Sequence, residues 1–194
     1  MGKKLSEMSL EELWKLFPIS LTQHKDSWKE DYAEMEREIR QKLSPFDVMR
    51  VSHIGSTAIE GIRAKNIVDI LVEVSSVENL EEVAKEIKKM GFLQMSSSKS
   101  RYSFNLGYTE NGFADKVYHL HLRYEGDHDE LYFRDYLREH IECAKEYEQL
   151  KLDLWKKYEF NRDAYTEAKT EFIRKYTKLA REKYVNRYED KQNR

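Results

Sequence analysis

The chain has 194 residues, with 34 Lys and Arg against 36 Asp and Glu, for a formal net charge of -2. That balance gives the chain as a whole no field for nucleic acid, although local basic patches remain open. The lone cysteine, Cys143, excludes an intramolecular disulfide and a cysteine-built zinc site and points to a cytoplasmic compartment.

The amino terminus carries no apolar signal region, and Gly2 with Ser6 matches the loose N-myristoylation pattern by chance. Apolar runs fall short of the roughly 20 residues a membrane span needs, so no membrane association is expected. Ser9-Leu10-Glu11-Glu12 is a capping box, and Leu10, Leu13, Trp14 and Phe17 follow at helical spacing until Pro18. Trp28, Tyr32, Met35, Ile39 and Leu43 form one apolar stripe on a second helix, closed by Ser44-Pro45. Met49, Val51 and His53 then alternate with Arg50 and Ser52, the period of a strand that runs into Gly55-Ser56-Thr57. Residues 67–74, Ile-Val-Asp-Ile-Leu-Val-Glu-Val, read as a strand buried on both faces in mid-sheet. An amphipathic helix over 77–90 ends at Gly91, a natural C-terminal cap.

Two further strands are predicted near 101–108 and 115–124, with Asn111-Gly112 as the hairpin signal between them. From about residue 130 everything is helical. Phe133, Leu137, Ala144 and Tyr147 mark one helix, which takes in Cys143 as a packing residue. Tyr165, Ala168, Phe172, Tyr176 and Leu179 mark another, and the last dozen residues are expected to fray. The pattern predicts an α+β fold, a mixed β-sheet with flanking helices and a C-terminal helical pair. Its expected divisions are a helical extension over 1–24, a domain over 25–184 and a charged tail over 185–194.

Chemistry concentrates at Gly55-Ser56-Thr57. A glycine here lets the backbone turn tightly and approach a phosphate, and Ser56 with the following N–H groups can donate to it. Asp69, thirteen residues beyond Ser56, is a carboxylate in an apolar strand, which is costly unless it is paired or binds metal. Strand, Gly-Ser turn and acid on the adjacent strand resemble the opening of the nucleotidyltransferase fold. Such a site places a second acid two residues after the first, where this chain has Leu71. Glu73 shares that face but lies roughly 13 Å along the strand and is expected to be solvated.

His119, His121 and Arg123 alternate onto one strand face. With His53 and Asp69, the two histidines are expected either to converge as a zinc or transition-metal site or to form a metal-free hydrogen-bonded cluster. Lys65, Arg134, Arg138 and Lys169 are candidate phosphate contacts, with an ordinary solvated helix face as the alternative for the helical ones.

His53-Ile54-Gly55-Ser56-Thr57-Ala58, Gly61, Lys65 and Asp69-Ile70-Leu71-Val72 together resemble the signature of the GrpB family. So do His119-Leu120-His121-Leu122, the stretch 133–138, the stretch 165–169 and Trp28, over about residues 20–180. The resemblance implies a nucleotidyltransferase-superfamily fold and little about activity; fusion of some members to dephospho-CoA kinase hints at nucleotide or coenzyme chemistry. Glu60 and Asn66 stand where the family commonly has prolines, a departure expected to loosen the loop after the turn.

The resulting expectation is transfer of a nucleotidyl group from a nucleoside triphosphate to a small acceptor. Gly55, Ser56, Thr57, Lys65, Arg134, Arg138 and Lys169 would hold phosphates. Asp69, His121 and His53 would bind Mg or Mn, and His119 or His121 would handle the proton. An inactive nucleotide- or anion-binding module is the first alternative, and a metal-dependent hydrolase on the His/Asp cluster is the second.

Overall fold

The computed structural model describes residues 3–189. The N-myristoylation pattern at Gly2 and the extreme end of the tail, 190–194, lie outside the described residues. Two amino-terminal helices come first, α1 (Leu10–Leu16) and α2 (Ser27–Lys42). The predicted capping box forms: Glu12 N–H donates to Ser9 Oγ, and Ser9 N–H donates to Glu12 Oε2.

Five strands follow, with one helix among them. They are β1 (Val48–Ile54), β2 (Val68–Val74), β3 (Leu93–Ser97), β4 (Arg101–Thr109) and β5 (Gly112–Tyr124), and α3 (Leu80–Lys89) lies between β2 and β3. Their order across the sheet is β1-β2-β5-β4-β3, with β2 parallel to β5 and the other pairs antiparallel. The parallel pair stands in the middle, where both faces are covered, so β2 reads as a near-continuous apolar run.

Strand alternation sends Val68, Ile70, Val72 and Val74 to one face, against Trp28, Ile39 and Leu43 at the α2 end and Leu80, Val83 and Ile87 of α3. Asp69, Leu71 and Glu73 face the other way. The register sets Asp69 beside His119, Leu71 beside His121 and Glu73 beside Arg123, so the polar residues of β2 and β5 share the second face.

That second face is covered by helices. Where the pattern predicts two, the chain forms four: α4 (Asp129–Glu139), α5 (Ile141–Tyr158), α6 (Arg162–Glu167) and α7 (Thr170–Lys183). The break between α4 and α5 falls at His140, whose Nδ1 bonds the Tyr136 carbonyl oxygen. The stretch after α1 is built into the domain. Phe17, Ile19 and Leu21 are buried, and Thr22 forms a two-bond bridge with Ala64. The tail also docks before its end, because Arg187 and the Tyr188 hydroxyl both reach Asp135.

Asn66 is tied to the amino-terminal end of α2: its Oδ1 accepts from Trp28 Nε1 at 2.7 Å and from Lys25 Nζ at 3.3 Å.

Candidate functional site

The turn after β1 is shaped by one glycine. Gly55 has φ 70° and ψ -172°, a conformation essentially confined to glycine, and opens a short 3-10 turn over Ser56–Ala58. A Cβ at Gly55 would lie 2.3 Å from Asp69 Oδ2, so the missing side chain is what lets the carboxylate sit against the turn.

Helices brace the loop from behind. Arg134 Nη1 donates to the His53 carbonyl and Arg138 Nε to that of Ala58, each at 2.8 Å. Lys145 Nζ donates to Gly61 O, Lys151 Nζ to Arg63 O, and Arg63 N–H donates to Glu148 Oε1 at 2.6 Å. Burial pushes the Tyr147 hydroxyl up to about 12, with the nearby Ser56 side chain opposing.

Asp69 faces both predicted histidines. Its Oδ1 is 3.3 Å from His119 Nδ1 and 3.6 Å from His121 Nε2, and the carboxylate keeps 26% of its surface exposed. Burial opposes its ionisation, but the nearby His119 and His121 outweigh burial and hold Asp69 well below the usual carboxylate range. The proton positions follow from the partners. Arg123 Nη2 lies 3.2 Å from His121 Nδ1; a guanidinium only donates, so His121 carries its proton on Nε2, toward Asp69. His119 is pushed down by burial, against the pull of Asp69. With Nδ1–H directed at Asp69, its Nε2 accepts from the Tyr108 hydroxyl at 2.8 Å. The result is an Asp69–His119–Tyr108 chain.

Around this single acid stand cations. Burial first, then the positive charges of Arg162 and Lys169, push Lys65 down to about 7. Lys169 is pushed down to about 8 by burial, with Asp69 opposing and Arg162 adding. Burial, Lys169 and Lys65 together lower Lys151 to about 7, against the opposing charge of Glu148. The Lys169 and Lys65 ammonium groups lie 4.5 and 5.8 Å from the centre of the buried Tyr165 ring, and the Arg162 guanidinium lies 5.4 Å from the Tyr108 ring. Among the described residues, Lys65, Lys169 and Arg162 make no ion pair within 4.0 Å.

Other predicted residues lie apart from this pocket. His53 pairs in register with Ile70, not Asp69, and so points to the opposite face. There it stacks on Tyr32 at 4.8 Å and bonds Thr57 Oγ1 at 2.9 Å, which occupies the hydroxyl predicted for phosphate. Burial pushes His53 down to about 4, with Asp69 opposing. The expected convergence of His53 with Asp69, His119 and His121 is therefore not formed. Glu73 is not solvated but 1% exposed, held by Arg50 Nη1 at 2.6 Å and His128 Nδ1 at 2.7 Å. Arg134 is spent on His53 O, Asp135 and the Tyr188 hydroxyl, and Arg138 supports the loop backbone.

The two-carboxylate centre that a divalent metal needs in this fold does not fit these residues. Leu71 fills the second-acid position within an apolar cluster of Ile54 and Leu131, and Glu73 is tied to Arg50 and His128. Among the described residues no group of three or more His, Cys, Asp or Glu side chains is placed to hold an ion. The cations beside Asp69 also oppose a dication.

Fold and site together define an α+β domain whose glycine-serine turn meets a single strand carboxylate inside a cationic helical wall. A family model described as GrpB protein matches residues 18–179, and the chain belongs to the GrpB family. It is 32% identical over 163 residues to Glutamate-rich protein GrpB of Alkalihalophilus pseudofirmus, covering 80% of this chain and 91% of that protein. It is 28% identical over 177 residues to UPF0157 protein YqkA of Bacillus subtilis, covering 88% of this chain but 50% of YqkA, so it spans half the length of that relative. The crystal structure of conserved protein GrpB from Enterococcus faecalis aligns with TM-score 0.73 and 29% identity over 85% of this chain and 99% of that one. A distant similarity to the Cid1 poly(U) polymerase, 14% identical at TM-score 0.48 over 76% of this chain and 46% of that chain, says nothing about activity. No helix is long and apolar enough to cross a membrane among the described residues.

Tyr108 and Arg162 belong to the site and were not singled out from the sequence, and Tyr147, which lies beside Ser56, was read only as a helix residue. For Tyr108 a signal existed. Gly107, in mid-strand, marks a bulge, and the register shift between Leu106 and Tyr108 turns Tyr108 onto the histidine face.

Proposed function

We propose that the chain binds the phosphate groups of a nucleoside triphosphate, or of a closely related phosphorylated small molecule, at the Gly55–Ser56 turn. Lys65, Lys169 and Arg162 supply the countercharge in place of a two-carboxylate metal centre. The observation that carries this reading is the set of three cations without carboxylate partners, held in a partly buried wall around Asp69. Holding like charges together in a dry wall is costly for the free protein, and a polyanion offsets that cost.

Calorimetric titration with sodium tripolyphosphate and with nucleoside triphosphates, with and without Mg²⁺, tests it. Saturable binding that weakens in Lys169→Met and needs no Mg²⁺ is the expected result. Absence of binding to any of these ligands at millimolar concentration sinks the proposal.

Nucleotidyl transfer to a small acceptor is a second reading, favoured by one observation: the neutral His119 imidazole held between Asp69 and the Tyr108 hydroxyl. In that reaction an acceptor hydroxyl gives its proton to the Tyr108 oxygen as Tyr108 passes its own to His119 Nε2, the acceptor oxygen bonds the α-phosphorus, and pyrophosphate leaves with the bonding electron pair. Pyrophosphate release in a screen of small hydroxyl acceptors, abolished in a His119→Ala variant that still binds tripolyphosphate, is the supporting outcome. No release from the wild type with any acceptor leaves binding alone.

A further inference from the structure

Beside the cation wall lies a second cavity that the phosphate reading does not use. It is lined by Pro18, Ile67 and Phe113 on its apolar sides and by Ser20, Asn66 and Lys65 on its polar ones, and its volume is about 170 Å³. It adjoins the proposed phosphate site by two routes. Lys65 belongs to both. Phe113 packs on Tyr108 with ring centres 5.2 Å apart, and Tyr108 bonds His119, the partner of Asp69.

The walls are fixed in place. The Thr22–Ala64 bridge pins the amino-terminal stretch across the end of β2, and Phe17 holds Phe113 at 5.0 Å. Phe113 nevertheless stays 41% exposed, an aromatic face with room for a partner.

Size and lining set the ligand class. A protein cavity of roughly 150 Å³ takes one benzene ring, so this cavity admits one six-membered ring, whereas a two-ring purine has to project from it. The lining is only partly apolar. Asn66 Oδ1 is already taken by Trp28 and Lys25, which leaves its amide N–H groups to donate, and Ser20 adds an exposed hydroxyl. Those groups suit a ring with carbonyl or ring-nitrogen acceptors rather than a plain phenyl group.

We propose that this cavity holds the base of a pyrimidine nucleotide, stacked on Phe113, while its phosphates lie on Lys65, Lys169 and Arg162. The inference rests on the phosphate reading above and adds the identity of the organic part.

Dissociation constants for tripolyphosphate, UTP, CTP and ATP, measured by calorimetry on the full chain, test it with two variants. Ser20→Trp fills the cavity from an exposed position, and Phe113→Ala removes the stacking face. The wild type is expected to bind UTP and CTP roughly tenfold more tightly than tripolyphosphate or ATP, the gain typical of one base on one aromatic ring. Both variants are expected to erase that gain and to leave tripolyphosphate binding unchanged. If tripolyphosphate binds but all three nucleotides bind alike and neither variant matters, the base site is overturned and the phosphate site stands. If the wild type binds no tripolyphosphate and no nucleotide, the phosphate reading itself fails. If Ser20→Trp also weakens tripolyphosphate, Phe113→Ala decides: selective loss of UTP and CTP affinity supports the base site, and an unchanged UTP-to-tripolyphosphate ratio overturns it.

Discussion

Gly55→Ala separates backbone conformation from close approach, because the chain supplies its own control. Gly55 and Gly61 have nearly the same φ, 70° and 74°, but a Cβ at Gly61 would meet nothing within 4 Å, whereas one at Gly55 would lie 2.3 Å from Asp69 Oδ2. Gly61→Ala therefore bears only the left-handed backbone strain, about 1–2 kcal/mol. Gly55→Ala bears at least that strain, because ψ -172° puts Gly55 in a region essentially confined to glycine, and it also forces the Asp69 carboxylate off its two histidines. Pulling the carboxylate away from its imidazole donors costs about 1.5–3 kcal/mol. A total of about 3–5 kcal/mol follows, allowing for partial relaxation of the aspartate. In a chain of this size each kcal/mol moves Tm by roughly 2–4 °C. Differential scanning calorimetry is expected to show a loss of roughly 2–8 °C for Gly61→Ala and roughly 6–20 °C for Gly55→Ala. NMR titration of His119 should shift only in the second variant. Equal Tm losses with an unchanged His119 titration would refute the idea that Gly55 is there to seat Asp69.

Three further outcomes are open to measurement. Lys65→Met with Lys169→Met should raise Tm, because two desolvated like charges are removed, while weakening tripolyphosphate binding by roughly tenfold or more; a fall in Tm would mean that the lysines are structural. Burial pushes Lys65 down to about 7 and Lys169 down to about 8, and a bound polyanion favours their protonated forms. Affinity should thus fall from about pH 6 to about pH 9, with proton uptake on binding visible in buffers of different ionisation enthalpy; a flat profile would exclude these ammonium groups from the site. Glu73→Gln should cost about 3–5 kcal/mol, because it breaks a buried pair. Burial opposes Glu73 ionisation, but His128 and Arg50 prevail and hold its pKa below 4.5, so its stabilisation is complete above that value and is lost as pH falls through the lowered one. Chemical denaturation at stepped pH should show the acid limb of the wild type flattened in the variant.

The parts of the fold legible in the sequence are those that obey a simple period. β2 showed as an apolar run, α2 as a stripe, and the β4–β5 hairpin through Asn111-Gly112. β3 did not show, because all five of its residues are exposed at the sheet edge and no core face imposes alternation. The α4–α5 break did not show either, since His140 marks it without glycine or proline. The neighbourhood of Gly55, Asp69, His119 and His121 was legible because strand alternation and a turn residue place them, whereas Lys65 was read from a loop and Lys169 from its helical spacing with Tyr165. His53 was misassigned for a related reason. Alternation within one strand says which residues share a face, but only the cross-strand register, His53 beside Ile70, says which face that is. Glu73 was misjudged because strand position alone does not disclose that Arg50 and His128 close over it. Tyr108 and Arg162 needed a bulge and a distant helix to be brought to His119, and local pattern carries neither.

The charge inventory of the pocket sets what it can receive. Asp69 carries one negative charge, and both imidazoles direct donors at its Oδ1, at 3.3 and 3.6 Å. Lys65, Lys169 and Arg162 bring up to three positive charges to the same wall without carboxylate partners among the described residues. A dication arriving alone would find one acid, with imidazole donors at its Oδ1, and several repelling charges. A polyphosphate arriving alone would find the reverse, each close opposite pair being worth about 4 kcal/mol at the effective dielectric of a protein surface before desolvation is subtracted. Mg²⁺ bound to the polyphosphate would neutralise part of the charge these residues recognise. Added Mg²⁺ should therefore weaken tripolyphosphate binding to this chain, whereas a two-carboxylate metal centre would require it; calorimetry with and without Mg²⁺ separates the two by the sign of the change.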